Sequence, residues 1–99
     1  MTHPSKRKGN SFEREVVALA QEYGLYAKRA YASNGQSLGK DETIDVIVGD
    51  LDGGCKRRAS LATYLKPPAA ADVNFIREDR GEIYAVLTAS KLFEIMRRP

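Results

Sequence analysis

Three charged side chains have the types that metal-assisted chemistry on a phosphate requires: Glu13, Asp45 and Lys56. Carboxylate oxygens are hard ligands of the kind that Mg²⁺ prefers. A lysine ammonium can stabilise the negative charge of a pentavalent phosphate or orient a water molecule. If the fold brings the three together, the sequence predicts a site for phosphodiester hydrolysis.

Glu13 lies in a predicted amphipathic helix, residues 11–24. On a helical wheel, at about 100° per residue, this glutamate lies between Ala20 and Val17, at the edge of the apolar face. A carboxylate turned toward a core is costly unless it is paired or binds a metal. The alternative is a capping box in which Glu13 bonds back to the backbone near Asn10.

Asp45 and Lys56 lie in predicted strands. Asp45 interrupts the apolar strand 43–48, where propensity disfavours aspartate; it could instead face solvent near a strand end. Lys56 falls in a short strand, residues 54–58, from which its ammonium could approach Asp45. The alternative is a surface lysine of a basic cluster.

The remaining pattern supplies the elements that would position these residues. Strands are also predicted at 25–31, 73–77 and 82–87, and helices at 60–66 and 90–97, with a Ser- and Gly-rich loop at 32–41. This order predicts an α/β fold with a mixed central sheet of about five strands flanked by helices. The 99 residues predict one domain, with a flexible basic N-terminus over residues 1–9.

Composition narrows the function classes. The net charge is +3, which suits a nucleic-acid partner, although each basic cluster alone is usually a solvated surface. Cys55 is the single cysteine, which excludes an intrachain disulfide and a Cys-based zinc finger. His3, the single histidine, lies near the start of the chain, which disfavours histidine-based metal or triad chemistry. No apolar run has the roughly 20 residues of a membrane helix, and no secretion signal is evident, so a cytoplasmic protein without a membrane partner is expected.

A helix glutamate followed by a strand aspartate, a hairpin and a strand lysine is the element order of the PD-(D/E)xK nucleases. Within that superfamily, local sequence resembles the archaeal-type Holliday junction resolvases. The resemblance covers most of residues 6–58 and is carried by four segments: 8–15 (KGNSFERE), Arg29 with the loop 33–35 (SNG), 44–49 (IDVIVG) and 55–58 (CKRR).

The resemblance implies a restriction-endonuclease-like fold and resolution of four-way DNA in a phage or prokaryotic cell. It implies that Glu13, Asp45 and the backbone carbonyl of Cys55 bind Mg²⁺ or Mn²⁺, and that Glu13, Asp45 and Lys56 are catalytic. It also implies a homodimer, because two opposed strands are cut. The DNA contacts that it implies, together with those suggested by the basic clusters, are Lys6, Arg7, Lys8, Arg14, Arg29, Ser33, Asn34, Arg57 and Arg58.

The chain departs from the family pattern at one position. A glutamate is expected two residues before the lysine, and Gly54 stands there. Loss of one of three carboxylates weakens a Mg²⁺ site, because charge and ligand number set the affinity. Three explanations are open: an inactivating change, natural or engineered; substitution by Asp52, which shares the face of residue 54; or a different register of the strands.

Three functions are therefore compatible with the sequence. The first is a structure-selective endonuclease, active or impaired at Gly54. The second is a non-catalytic module that binds branched DNA on the same fold. The third is a small protein-interaction domain whose basic clusters only contact solvent.

Overall fold

A computed structural model describes residues 4–30 and 35–99. Helix α1 spans Pro4–Glu22, followed by strands β1 Ala27–Arg29, β2 Val46–Val48 and β3 Leu51–Gly53. Strands β4 Val73–Ile76 and β5 Tyr84–Leu87 come next, and helix α2 spans Ala89–Met96. Short 3₁₀ turns lie at Gly35–Leu38 and Thr63–Leu65. The mixed α/β class is confirmed.

The predicted single central sheet is not observed in the described ranges. The five strands form two sheets, β1-β2-β3 and β4-β5, and every strand pair is antiparallel. The chain between β3 and β4 contains Pro67 and Pro68, which have no backbone N–H to donate to a ladder. This connection has only one 3₁₀ turn as regular structure, so the second pair of strands forms a separate hairpin.

Helix α1 begins at Pro4 and not at the predicted residue 11. The helix ends where glycine predicts it, because Gly24 adopts a φ of 77°. The N–H of Gly24 donates to the carbonyl of Gln21, and the N–H of Leu25 donates to that of Ala20. These two bonds form a Schellman motif, which satisfies the last carbonyls of the helix.

The core lies between the two helices and the first sheet. Ala20, Val46, Val48 and Phe93 are buried together, with the partly buried Tyr23 packed against them. The rings of Tyr23 and Phe93 meet edge to face at a centroid distance of 6.3 Å. The predicted apolar face of α1 is confirmed, and it packs against β1 and β2.

The β2–β3 hairpin is tighter than predicted. Its loop is the pair Gly49 and Asp50, because Val48 pairs directly with Leu51. Gly49 has a φ of 56°, the conformation that the first position of a type II′ turn requires. The strand therefore begins at Leu51, and the predicted strand 54–58 is wrong: these residues continue from β3 without a ladder.

Candidate nuclease site

Asp45 directly precedes β2 and does not lie within the strand as predicted, and the chain on both sides holds it in place. Its N–H donates to the carbonyl of Gly53 at 2.9 Å, and its carbonyl accepts from the N–H of Ala30 at 2.8 Å. Its Oδ2 accepts a hydrogen bond of 2.7 Å from the backbone N–H of Cys55. The aspartate is part-buried, so it does not simply face solvent as the alternative interpretation required.

Gly54 lies beside Asp45, just beyond the end of the β2–β3 ladder. The last pair of the ladder is Val46 with Gly53, and the N–H of Asp45 also donates to the carbonyl of Gly53. A Cβ at position 54 would lie 3.8 Å from Asp45 Oδ2 and 4.0 Å from the carbonyl of Thr43, which are ordinary contacts. The φ of Gly54 lies outside the positive region, so neither space nor backbone conformation requires glycine.

Asp52 does not occupy the position of the missing carboxylate. It pairs across the hairpin with Ile47, two residues from Asp45 along β2. Its Oδ1 lies 3.4 Å from Lys40 Nζ. The carboxylate of Asp52 is thus engaged in an exposed ion pair, whereas a side chain at position 54 would begin 3.8 Å from Oδ2 of Asp45.

Glu13 is almost fully buried, at 3% exposure. Its Oε2 lies 3.8 Å from Nε of Arg29 on β1, which provides the opposite charge that a buried carboxylate needs. The capping-box alternative is wrong, because Asn10 lies inside α1 and not at its start. The helix therefore presents this glutamate to the sheet, as expected of a functional carboxylate or a structural ion pair.

Cys55 lies within the fields of both carboxylates. Burial is the main cause that raises the pKa of its thiol from 9.0 to about 11, and the charges of Asp45 and Glu13 raise that pKa further. The thiol is therefore neutral at pH 7 and a poor nucleophile. The hydrogen bond from the Cys55 N–H to Asp45 and the charge effect of Glu13 associate this residue with both carboxylates.

Lys56 is not joined to these carboxylates. It is exposed on the irregular segment after β3 and forms none of the salt bridges found among the described side chains. In residues 4–30 and 35–99 no three His, Cys, Asp or Glu side chains form a metal-binding group. The site thus has two carboxylates, an exposed lysine and an open position at Gly54.

The predicted DNA contacts are distributed unevenly. Arg14, Arg57 and Arg58 are exposed, whereas Arg29 is half-buried beside Glu13. The side chains of Lys6, Arg7 and Lys8, and all of Ser33 and Asn34, lie outside the described residues. Neither helix in the described part has the length and apolar character of a membrane span.

The backbone N–H of Cys55 was missed by the sequence analysis, which considered only the carbonyl of that residue. A main-chain donor has no signature in residue type. Only the pairing of β2 with β3 shows that this N–H is directed at Asp45.

The α/β fold thus carries a buried helix glutamate, Glu13, and a part-buried aspartate, Asp45, directly before β2 of an antiparallel hairpin. The chain matches the family model of the archaeal Holliday junction resolvase over residues 4–91. It therefore belongs to this family, and the predicted resemblance is confirmed. No curated protein and no solved structure matches the chain.

Membership establishes the general function. The family comprises nucleases that act on branched Holliday junction DNA in recombination, generally with a divalent metal.

Proposed function

We propose that this chain binds four-way DNA through a resolvase site that Gly54 has deprived of one carboxylate. Glu13, Asp45 and the Cys55 carbonyl would hold Mg²⁺ or Mn²⁺, and a metal bound there would polarise the phosphate and lower the pKa of a water. With one carboxylate fewer, metal affinity falls. We therefore expect junction binding with little or no cleavage.

The observation that carries this proposal is the space beside Asp45. Position 54 directs a Cβ toward Oδ2 of Asp45 at 3.8 Å, with no clash. A glutamate at this position would add its carboxylate to the two already present. Because a side chain at position 54 would begin beside the Asp45 carboxylate, we favour a nuclease site that has lost a ligand over a surface that never had one.

The other residues have roles that follow from their placement. The Cys55 N–H fixes the orientation of Asp45, and Arg29 holds the buried charge of Glu13. Lys56 is exposed and able to reach a phosphate oxygen. Exposed arginines at 14, 57 and 58 favour contacts to the DNA backbone, which fix position without reading sequence. We assign the same role to Lys6, Arg7, Lys8, Ser33 and Asn34.

Two features of the assembly belong to the same proposal. A homodimer is expected because a junction is resolved by cutting two opposed strands. The restriction-endonuclease-like class of fold is supported by the family match and by the packing of α1 on the sheet that carries Asp45. Both could be tested by sedimentation and by an experimental structure of the DNA complex.

The decisive test compares Gly54→Glu with Gly54→Gln, which has nearly the same volume without the charge. We expect Gly54→Glu to bind Mn²⁺ at least about tenfold more tightly than the natural chain, since a charged ligand is gained, and to cut a four-way junction. Gly54→Gln should do neither. If Gly54→Glu neither binds the metal nor cuts the junction, the site assignment is wrong.

The second candidate is a non-catalytic module that binds branched DNA. It is favoured by the finding that no group of three metal-binding side chains exists in the described ranges. This candidate predicts binding that weakens steeply with salt, since phosphate contacts release counterions, and no cleavage even by Gly54→Glu. Cleavage by that variant would exclude it.

A further inference from the structure

An aromatic cleft lies away from the carboxylates, between the 3₁₀ turn Thr63–Leu65 and the β4–β5 hairpin. Its volume is about 630 Å³, within the range of about 300–1,000 Å³ typical of ligand pockets. Tyr64, Phe75 and Tyr84 line it, together with Arg77 and Glu78. Nothing in the nuclease site accounts for this arrangement.

The three rings are unusually exposed for their size. Tyr64 is 72% exposed, Phe75 68% and Tyr84 60%. Large apolar groups gathered around one concave surface are informative, whereas single exposed hydrophobic residues are not. The side-chain amide of Asn74 donates to the carbonyl of Tyr64 at 2.6 Å, so the turn is tied to β4 and the cleft is built from connected parts.

One side of the cleft has only positive charge, whereas the β4–β5 turn on the other side carries both signs, with Arg77 and Arg80 beside Glu78, Asp79 and Glu82. The chain has no Asp or Glu between Asp52 and Asp72, and this positive stretch, which favours a polyanion, contains Lys56, Arg57, Arg58 and Lys66. All four are exposed. The stretch runs from the nuclease site into the turn that carries Tyr64. A nucleic-acid strand could therefore follow basic residues from one site to the other.

The polar groups of the cleft suit the edge of a base. Arg77 supplies N–H donors, and the carboxylate of Glu78 can accept from an exocyclic amino group. Unpaired bases are commonly recognised by stacking on aromatic rings combined with hydrogen bonds to their edges. A lipid or a purely apolar peptide would not use this donor and acceptor.

We propose that this cleft binds an unpaired DNA base, stacked on Tyr64, while the strand lies along the basic stretch 56–66. The inference rests on the proposed function, because the base would come from a branched DNA held at the nuclease site. The protein would then recognise unpaired nucleotides at or near the branch in addition to the shape of the junction.

The test uses the full chain and two four-way junctions that differ only at the branch point. One is fully paired, and the other carries two unpaired nucleotides, one of them the fluorescent base 2-aminopurine. We expect the chain to quench this fluorescence on binding. Tyr64→Ala should abolish the quenching and weaken binding of the unpaired junction about 5- to 150-fold, the range for loss of one base–aromatic stack.

Matched variants separate stacking from structure. Tyr64→Phe keeps the ring and should keep the quenching. Tyr26→Ala removes a tyrosine of similar exposure, 65%, outside the cleft and should change nothing. Binding of the fully paired junction should be the same for all of these variants.

Three results would overturn the inference. If the natural chain binds both junctions equally and without quenching, the base site is refuted and the proposed function stands. If it does not bind even the paired junction, the base site and the proposed function are both refuted. A lower mass of Tyr64→Ala than of the natural chain in DNA-free sedimentation would show instead that the cleft is a contact between copies of this chain.

Discussion

The molecule has a packed half and an open half. The packed half consists of α1, the β1–β2–β3 sheet and α2, and it contains every described side chain of the buried core. The open half consists of the β4–β5 hairpin and the turn Thr63–Leu65, in which no residue is buried. Glu13 and Asp45 lie in the first half and the aromatic cleft in the second.

The difference shows where each half can place chemistry. A metal site needs ligands held within fractions of an ångström, which packed helices and strands provide. In the packed half, Glu13 is held by Arg29 of β1, and Asp45 by the backbone N–H of Cys55, just after β3. A surface that receives a flexible strand has no such need, and exposed rings on a hairpin are sufficient for stacking.

Phenylalanine truncations test the contrast most strongly. Phe93 is buried at 3% exposure and packs against Tyr23, so Phe93→Ala should lower the free energy of unfolding by about 3–5 kcal/mol. Phe75→Ala, in the open half, should cost less than about 1 kcal/mol because no buried contact is lost. Urea denaturation followed by circular dichroism measures both, and equal costs would refute the division into two halves.

Aspartate substitutions test the site within the packed half. Asp45→Ala leaves the part-buried N–H of Cys55 without its acceptor, which should cost about 1–3 kcal/mol. Asp52→Ala removes only the exposed pair with Lys40 and should cost at most about 1 kcal/mol. Urea denaturation followed by circular dichroism measures both losses of stability. A loss for Asp45→Ala no larger than that for Asp52→Ala would show that the Cys55 bond contributes little.

The Cys55 thiol tests the electrostatics of the site with the smallest effect on stability. Its pKa is raised to about 11, so the folded chain keeps its proton where an unfolded chain loses it. Stability should therefore fall as pH rises from 9 to 11. Alkylation by iodoacetamide at pH 8 should be slow, since little thiolate is present.

Asp45→Asn is the matched variant for the thiol. It keeps a side-chain oxygen for the Cys55 N–H and removes one of the two charges that oppose thiolate formation. Its alkylation should be faster than that of the natural chain at the same pH. An unchanged rate would show that the charge of Asp45 does not act on the thiol, and that the site is less compact than the structure indicates.

Much of the local structure could be predicted from residue types. Periodicity identified the apolar face of α1, and Gly24 identified its end. The hairpin of β4 and β5 and the terminal helix lie close to their predicted ranges. Thr88, which caps α2 by accepting from the N–H of Lys91 at 3.2 Å, was not predicted, although threonine before an apolar helix is a known signal.

The failures concern boundaries and long-range pairing. The predicted loop after β2 was too long, which moved β3 from residues 51–53 to residues 54–58. The start of α1 was set at a capping signal around Asn10 that the helix passes through. The aromatic cleft was not predicted, although a tyrosine inside an acid-free basic stretch was visible in the sequence.

The sequence by itself determined the candidate residues for the chemistry and the position at which the family's glutamate is replaced. Glu13, Asp45, Lys56 and Gly54 were each identified from type and order along the chain. Only the tertiary structure decided that Gly54 lies beside Asp45 and that Glu13 reaches Arg29, because strand register and helix packing join residues distant in sequence. Residue type sets what a side chain can do, and the pairing of β2 and β3 sets what lies beside it.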